Sequence, residues 1–592
     1  MDTLDEKFKK LHISSPLELA LILPHRYEDY RLKTTLEINT PTLIDATLQT
    51  IRKTPSSIQM EFFAHNLGHT LKGVIFRPKP YMLHQFLQGE RYYLYGQVDC
   101  KGGSCSLNMP KKVSEQHIGK VLPVYKTSLR NDVLRKLIKN YLHVKIFTQE
   151  NIPEEIAKIL LSIHFPISMP DEKTKQKQLY ALKYLEIFLY MRELQKKKSS
   201  FPALSSHVND ISHWINSLPF QLTNEQLSAI KDIQNDLAKP VAAKRMVVGD
   251  VGCGKTMVIL ASVLLNLPNR SILMAPTTIL AKQLYEEAKK FLHVKTTLVT
   301  NKTKKLPLDE YELIIGTHAL LYRELPQATL VMVDEQHRFG TKQRALLSKL
   351  VENGNKKPHY LQFSATPIPR TQAMIDSSYI DVSLITTTPF EKKISTKVIT
   401  KKDFPSLLKH IKQELAQNHQ VLIIYPLVEE SEAINYQSID EARGYWEKNF
   451  TDVYVTHGKD KEKEKILEEF RTHGKILLAT TVVEVGISLP RLTTVIIVGA
   501  ERLGLATLHQ LRGRVSRTGL QGYCYLYTNA KESKRLEEFS KTTNGFTIAE
   551  LDLRYRQSGD LLRGDHQSGK AFKFFDMAED ANILQEVQKI LN

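Results

Sequence analysis

Apolar positions along this chain change their spacing several times, and each change predicts a different kind of element. The first 42 residues open with a helical pattern and pass through Pro24-His25-Arg26-Tyr27. From Leu43 to Val113 the period turns to two, with alternating runs at Leu43–Ile51, Ile58–Phe63, Leu71–Phe76, Arg91–Val98 and Ser104–Met109. A helix-like piece, Tyr81–Leu87, lies between the third and fourth runs. Five strands with a helix in that place predict an OB-fold barrel. Helical spacing then dominates, most clearly over Gln176–Lys198 with its stripe of Leu179, Leu182, Leu185, Ile187 and Leu189.

Beyond about Phe201, short apolar runs alternate with helical stretches. They are Met246–Val248, Ser271–Met274, Tyr311–Ile315, Leu330–Val333 and Leu361–Phe363, then Val421–Ile424, Val453–Val455, Ile476–Leu478 and Thr494–Val498. Strands alternating with helices predict parallel sheets, and two such blocks predict two α/β domains in tandem. The expected fold is therefore multidomain α/β: an OB-fold barrel with helical flanks, then two parallel-sheet domains in tandem. The expected boundaries are 1–42 (helical segment), 43–113 (OB-like barrel), 114–204 (basic helical connector), 205–388 and 389–535 (the two parallel-sheet domains) and 536–592 (C-terminal segment).

Composition narrows this picture modestly. The 592 residues are 42% hydrophobic and 25% charged, which excludes a disordered or collagenous chain. Lys and Arg total 82 against 64 acids, a net charge of +18, which favours a polyanionic partner or a lysine-rich solvated surface. The excess is dense over 111–198, with 18 basic against nine acidic residues; Lys196-Lys197-Lys198 there can track phosphates or solvate a helix end. The first residues carry acids rather than an apolar run, and four cysteines in this length point to a reducing, cytoplasmic setting. Cys100 and Cys105 read as hairpin residues rather than zinc ligands. The barrel region is rich in aromatics (Phe62, Phe63, Phe76, Tyr81, Phe86, Tyr92, Tyr93 and Tyr95), most of them expected to fill its interior. Phe76 and Tyr81, flanking Arg77-Pro78-Lys79-Pro80, are the candidates for stacking on bases.

The chemistry begins at Gly249-Asp250-Val251-Gly252-Cys253-Gly254-Lys255-Thr256, a P-loop placed between an apolar strand and an amphipathic helix. Gly249, Gly252 and Gly254 let backbone N–H groups close on phosphate oxygens. Lys255 can neutralise the β- and γ-phosphates, and Thr256 can ligate magnesium. Leu330–Glu335 is an apolar strand ending in two acids. Asp334 there is expected to hold magnesium through water and Glu335 to deprotonate the attacking water. Ser364-Ala365-Thr366 follows the next strand and is placed to sense the phosphate state. The second block has no P-loop; Arg514 and Arg517, three residues apart, are expected to share a helix face and clamp a transferring phosphoryl group.

Taken together, Leu222-Thr223 with Gln226, GDVGCGKT, Met274–Thr277, Gly316–His318, DEQHRFG (Asp334–Gly340), SATPIPRT (Ser364–Thr371), TTVVEVGISLP (Thr480–Pro490) and HQLRGRVSR (His509–Arg517) resemble a superfamily-two helicase. DEQHRFG, SATPIPRT and ERLGLATLHQLRGR resemble specifically the RecG family of branched-DNA helicases. Arg26–Asp29 and Leu122–Tyr125 also fit it. The resemblance implies ATP and Mg2+ as cofactors, branched double-stranded DNA as substrate, docking to single-stranded-DNA-binding protein, and a monomer. It implies that Gln226 contacts adenine, that Gly486 lies at the nucleotide, and that Gln336, His337, Ser364, Thr366 and Gln510 couple hydrolysis to motion. It implies that the OB-like barrel is a wedge domain, that 205–388 and 389–535 are RecA-like motor domains, and that 536–592 carries a translocation element at Thr547–Gly569, with Arg556 and Gln567 as its working residues.

Some positions depart from the family pattern. Arg556–Asp560 and Asp565-His566-Gln567 lack residues usual there, Ser488 stands where an acid is common, and Cys253 and Ser516 replace a usual serine and glycine. Cys253 reads as a small-residue swap rather than a redox switch. Two competing readings are a motor like that of transcription-repair coupling factors and a nucleic-acid-binding scaffold without ATPase activity. The absence of a recognisable polymerase-binding domain opposes the first, and intact Lys255, Asp334, Glu335, Arg514 and Arg517 oppose the second.

Overall fold

The computed structural model describes residues 4–591 apart from 37–38, 55, 80–81, 83–84, 102–103, 199, 305, 391–392, 427–435, 459, 461, 481–488, 517–518 and 564–571. The chain divides into two compact units: Met1–Tyr190 with Ala571–Asp576 and Asn582–Asn592, and Met191–Lys570 with Met577–Ala581.

In the first unit, β1 (Arg26–Asp29) pairs antiparallel with β7 (Val121–Val124), joining the two N-terminal segments that fitted the family pattern. Between them lie β2 (Pro41–Lys53), β3 (Ser57–Ala64), β4 (His69–Phe76), β5 (Arg91–Lys101) and β6 (Ser104–Lys112). They close into a barrel in the order β2-β3-β4-β6-β5, with only the β4–β6 seam parallel. The alternation predicted all five strands. Their inward positions, including Ile44, Leu48, Met60, Phe62, Leu71, Ile75, Phe86, Leu94 and Leu107, form one core. Phe62 and Phe86 therefore fill the barrel, whereas Phe76 is 58% exposed at the end of β4. The described residues of the expected Tyr81–Leu87 helix make turns, Met82 N–H to Lys79 O and Gln85 N–H to Met82 O. Cys100 and Cys105 face one another across the β5–β6 hairpin, as expected, but joined as a disulfide; the thiols are Cys253 and Cys524, both buried. The setting inferred from four free cysteines thus rests on two.

The second unit holds two wholly parallel sheets. The first comprises β8 (Lys244–Gly249), β9 (Ser271–Met274), β10 (Thr296–Val299), β11 (Leu313–Gly316), β12 (Leu330–Val333), β13 (His359–Ser364) and β14 (Asp381–Ile385), in the order β10-β11-β9-β12-β13-β8-β14. The second comprises β15 (Ile394–Ile399), β16 (Gln420–Ile424), β17 (Val453–Thr456), β18 (Ile476–Ala479), β19 (Leu492–Val498) and β20 (Gly522–Tyr527), in the order β15-β20-β19-β16-β18-β17. Central strands are buried on both faces: Leu273 and Met332 face one core of the first sheet, Ile272 and Val331 the other. That burial produces the continuous apolar runs seen in the sequence. The runs missed β10, β14 and β15, edge strands with half-exposed positions, and β20, which alternates. Among the described residues no helix is long and apolar enough to cross a membrane.

Candidate active site

The P-loop joins β8 to the helix Lys255–Asn266, so its amides sit at the C-terminal edge of a parallel sheet and at a helix N-terminus. Gly252 and Gly254 have φ of +77° and +80°, which an L side chain rarely adopts. A Cβ on Gly249 would lie 2.3 Å from Cys253 Sγ. Cys253 is fully buried under the loop, as a small-residue swap requires, and a buried thiol is inert to oxidants. Lys255 Nζ donates to Gly249 O at 2.9 Å and Asp250 O at 3.1 Å. Burial alone would pull its pKa down, but the Cys253 sulfur and the carboxyls of Glu335, Asp334 and Asp250 outweigh it, so the net shift is upward. Lys255 thus stays charged at neutral pH.

Asp334 and Glu335 close β12 as expected. Glu335 has a left-handed backbone, φ +49°, an uncommon conformation for a residue with a side chain that recurs at active sites. It donates its N–H to Asp334 Oδ1 at 2.9 Å, while its own Oε2 accepts Ala365 N–H at 3.1 Å. Burial first, and then the charge of Glu335, push the Asp334 carboxyl up to about 7, against the pull of Lys255. Buried Asp334 and half-buried Glu335, beside a fixed lysine and Thr256, fit a divalent cation, whose charge would relieve their repulsion.

The raised carboxyl has a measurable consequence. It binds its proton more tightly folded than unfolded, so its contribution to stability is full below pH 3.8 and is lost as pH rises toward about 7. The nucleotide-free protein is expected to lose melting temperature through that window more steeply than Asp334→Asn. Parallel melting curves for the two proteins against pH would show the expectation to be wrong.

Residues from the other motifs converge here. Ser364 Oγ accepts Thr366 N–H at 3.2 Å, and Thr366 Oγ1 accepts Gln510 Nε2 at 2.7 Å, linking the first sheet's domain to the second's. Gln336 Nε2 lies 2.9 Å from Met246 Sδ in β8. Gln226 stands where the capping box of the helix Asn224–Leu237 places it: Oε1 accepts Thr223 N–H and Nε2 donates to Cys253 O at 2.8 Å. It is 2% exposed and braces the P-loop from beneath.

The structure corrects the expectation for the arginines. The helix Leu505–Arg512 ends two residues before Arg514, with Gly513 as its cap and Ser516 at φ +63°. Arg514 therefore sits in a buried turn after the helix, not on a helical face shared with Arg517. A Cβ on Gly513 would meet Val251 Cγ1 of the P-loop at 2.8 Å, so the residue that caps this helix packs directly on that loop. Arg517, Tyr81, Gly486, Ser488 and Gln567 lie outside the described residues, as do Asp565 and His566. His337 lies in a 3-10 turn and Arg556 in the helix Gly545–Arg563, without described side chains.

Sequence reasoning passed over four residues that the structure makes prominent. Asp250 contacts His509, with Nε2 and Oδ1 2.5 Å apart, and also accepts Gly545 N–H at 3.0 Å. Arg512 is buried behind them. Glu225 accepts the N–H groups of Thr386 and Thr387 and both hydroxyls, anchoring the segment that leaves β14 to the helix carrying Gln226. An acid at each of two motif positions was the only local hint.

A P-loop, paired acids and a second parallel-sheet domain that reaches Thr366 through Gln510 define a two-lobed helicase-type ATPase. Residues 223–375 match the DEAD/DEAH box helicase family and residues 403–519 the helicase conserved C-terminal domain family. An ATP-dependent DNA helicase RecG from Helicobacter pylori J99 is 43% identical, over 100% of this chain and 98% of its own length. The RecG of Streptococcus pneumoniae serotype 4 is 33% identical, over 99% and 93%. A solved structure of RecG bound to a three-way DNA junction is similar over 99% of this chain and 84% of that one, with a TM-score of 0.56 and 27% identity. The chain belongs to the RecG family of ATP-dependent DNA helicases.

Proposed function

We propose that this chain is a double-stranded-DNA translocase that remodels branched DNA, regressing stalled forks and migrating Holliday junctions. The observation that carries this reading is its full-length similarity to a RecG seen on a three-way junction. Ahead of the ATPase lies a closed barrel with Phe76 exposed at the end of a strand, suited to stacking on a base where strands part.

In this reading Lys255 draws the β- and γ-phosphates into the P-loop amides. Glu335, oriented by Ala365 N–H, takes the proton of the attacking water. Mg2+, held by Thr256 and through water by Asp334, would supply charge neutralisation on the phosphates. Arg514, with Arg517, stabilises the charge spread over the transferring group from the second domain. Ser364, Thr366 and Gln510 pass the change onward through their cross-domain hydrogen bond. Gln336 and His337 join that relay, and Arg556 and Gln567 act on the duplex.

The test is steady-state ATP hydrolysis with magnesium, comparing a Holliday junction, a model fork, linear duplex, single-stranded DNA and RNA. Stimulation is expected to be greatest on branched DNA. Equal or greater stimulation by RNA would overturn the substrate.

A further inference from the structure

We infer that Asp250, the second residue of the P-loop, is the positioning residue through which the nucleotide site moves the start of the helix Gly545–Arg563. The inference rests on the translocase reading above, and it assigns a role to a carboxylate that touches no expected substrate atom.

Asp250 is 5% exposed. Its Oδ1 lies 2.5 Å from His509 Nε2, and its Oδ2 accepts the N–H of Gly545, the first residue of that helix, at 3.0 Å. One carboxylate of the first domain thus holds both the helix Leu505–Arg512 and the long helix that follows. These two helices are also tied to each other, because Asp552 Oδ1 accepts Leu505 N–H at 3.1 Å. Pulling on Asp250 therefore pulls on a joined pair.

The approach is close enough to dictate a residue. A Cβ on Gly545 would lie 2.8 Å from the Asp250 carboxyl carbon, 2.7 Å from His509 Nε2 and 2.6 Å from Pro367 Cγ. No side chain fits at 545 without breaking this junction of P-loop, Ser364–Thr371 segment and second domain.

The link to the nucleotide runs through Lys255, whose ammonium now donates to the backbone carbonyls of Gly249 and Asp250. An ammonium that turns to phosphate oxygens gives those bonds up and loosens the backbone at Asp250, whose carbonyl then keeps Cys253 N–H alone. The same residue's side chain holds His509 and Gly545, so the change reaches the long helix by one covalent step. No relay through Thr366 and Gln510 is needed, and the two routes are distinct.

The experiment measures base pairs of a model fork unwound per ATP hydrolysed, for wild type, Asp250→Asn, Gly545→Ala and the double variant, with melting temperature and the KM for ATP recorded alongside. Each single variant is expected to lower the ratio about tenfold, within the usual range of coupling between sites. The fall should exceed any change in KM, and the double variant should be no worse than either single one, because both break one contact. A wild-type ratio in Asp250→Asn overturns the inference, whether rates and melting temperature fall or not. So do independent, multiplying effects in the double variant. A wild type without DNA-stimulated hydrolysis would instead end the translocase reading, which keeps the two failures distinguishable.

Discussion

Alanine at Lys255 is expected to lower DNA-stimulated ATP turnover by about 10³-fold, the upper end of what removing one preorganised electrostatic partner costs. The ammonium lies within hydrogen-bond reach of two P-loop carbonyls and in the field of Asp250, Asp334 and Glu335. No other described lysine is placed between the loop and the paired acids, so no neighbour can replace it. The substitution also removes the charge that holds the Asp334 carboxyl down, which should push that group further up. Lys255→Ala is therefore expected to lose turnover and to bind Mg2+-nucleotide less tightly at pH 7 than at pH 8. Steady-state hydrolysis with a fork substrate, and nucleotide titration at the two pH values, check both parts. Turnover within tenfold of wild type would remove Lys255 from the catalytic set.

Alanine at Arg512 should act on stability instead, by about 3–5 kcal/mol, the cost of breaking a buried, hydrogen-bonded charged group out of its setting. The residue is 1% exposed. Its guanidinium stacks over the Phe539 ring at 4.1 Å and donates to Phe539 O at 3.2 Å and Thr396 Oγ1 at 3.4 Å. A second nitrogen lies 3.2 Å from His509 Nδ1, which orients the ring that meets Asp250. Burial lowers the Arg512 pKa, with Cys524 and Asp250 opposing, yet arginine remains charged at any working pH. Arg512→Lys should recover little, since an ammonium can neither stack flat on the ring nor reach both acceptors. Urea unfolding of the two variants measures this. An unchanged midpoint with lost hydrolysis would make Arg512 a catalytic arginine and take the structural role away.

These two residues mark the boundary between what was legible in the chain and what was not. Lys255 was legible, because a P-loop is a local code: a strand, a run of glycines and a helix start within eight residues, each required by backbone geometry. The same holds for Asp334 and Glu335 at the end of an apolar strand, and for the five alternating barrel strands. The family resemblance extended this to the architecture and to the roles proposed for each motif. Arg512, Arg514 and Arg517 form one short string, and spacing alone put Arg514 and Arg517 on one helix face. That assignment failed for Arg514 because the helix ends at Arg512, with its cap Gly513 packed against Val251, more than 250 residues away in the P-loop.

By itself the sequence determined where the barrel strands and the buried central strands form, which loop can cradle phosphate, which acids close β12, and the family to which the whole belongs. Those properties depend on period, turn residues and spacing within a few positions. Tertiary structure alone decided that Gln226 braces the P-loop, that Arg26–Asp29 pairs with Val121–Val124, that Glu225 holds Thr386 and Thr387, and that Asp250 meets His509 and Gly545. Those contacts join residues separated by 27 to 295 positions. An aspartate's partners at such distances are set by how sheets and helices pack, and no local pattern carries that information.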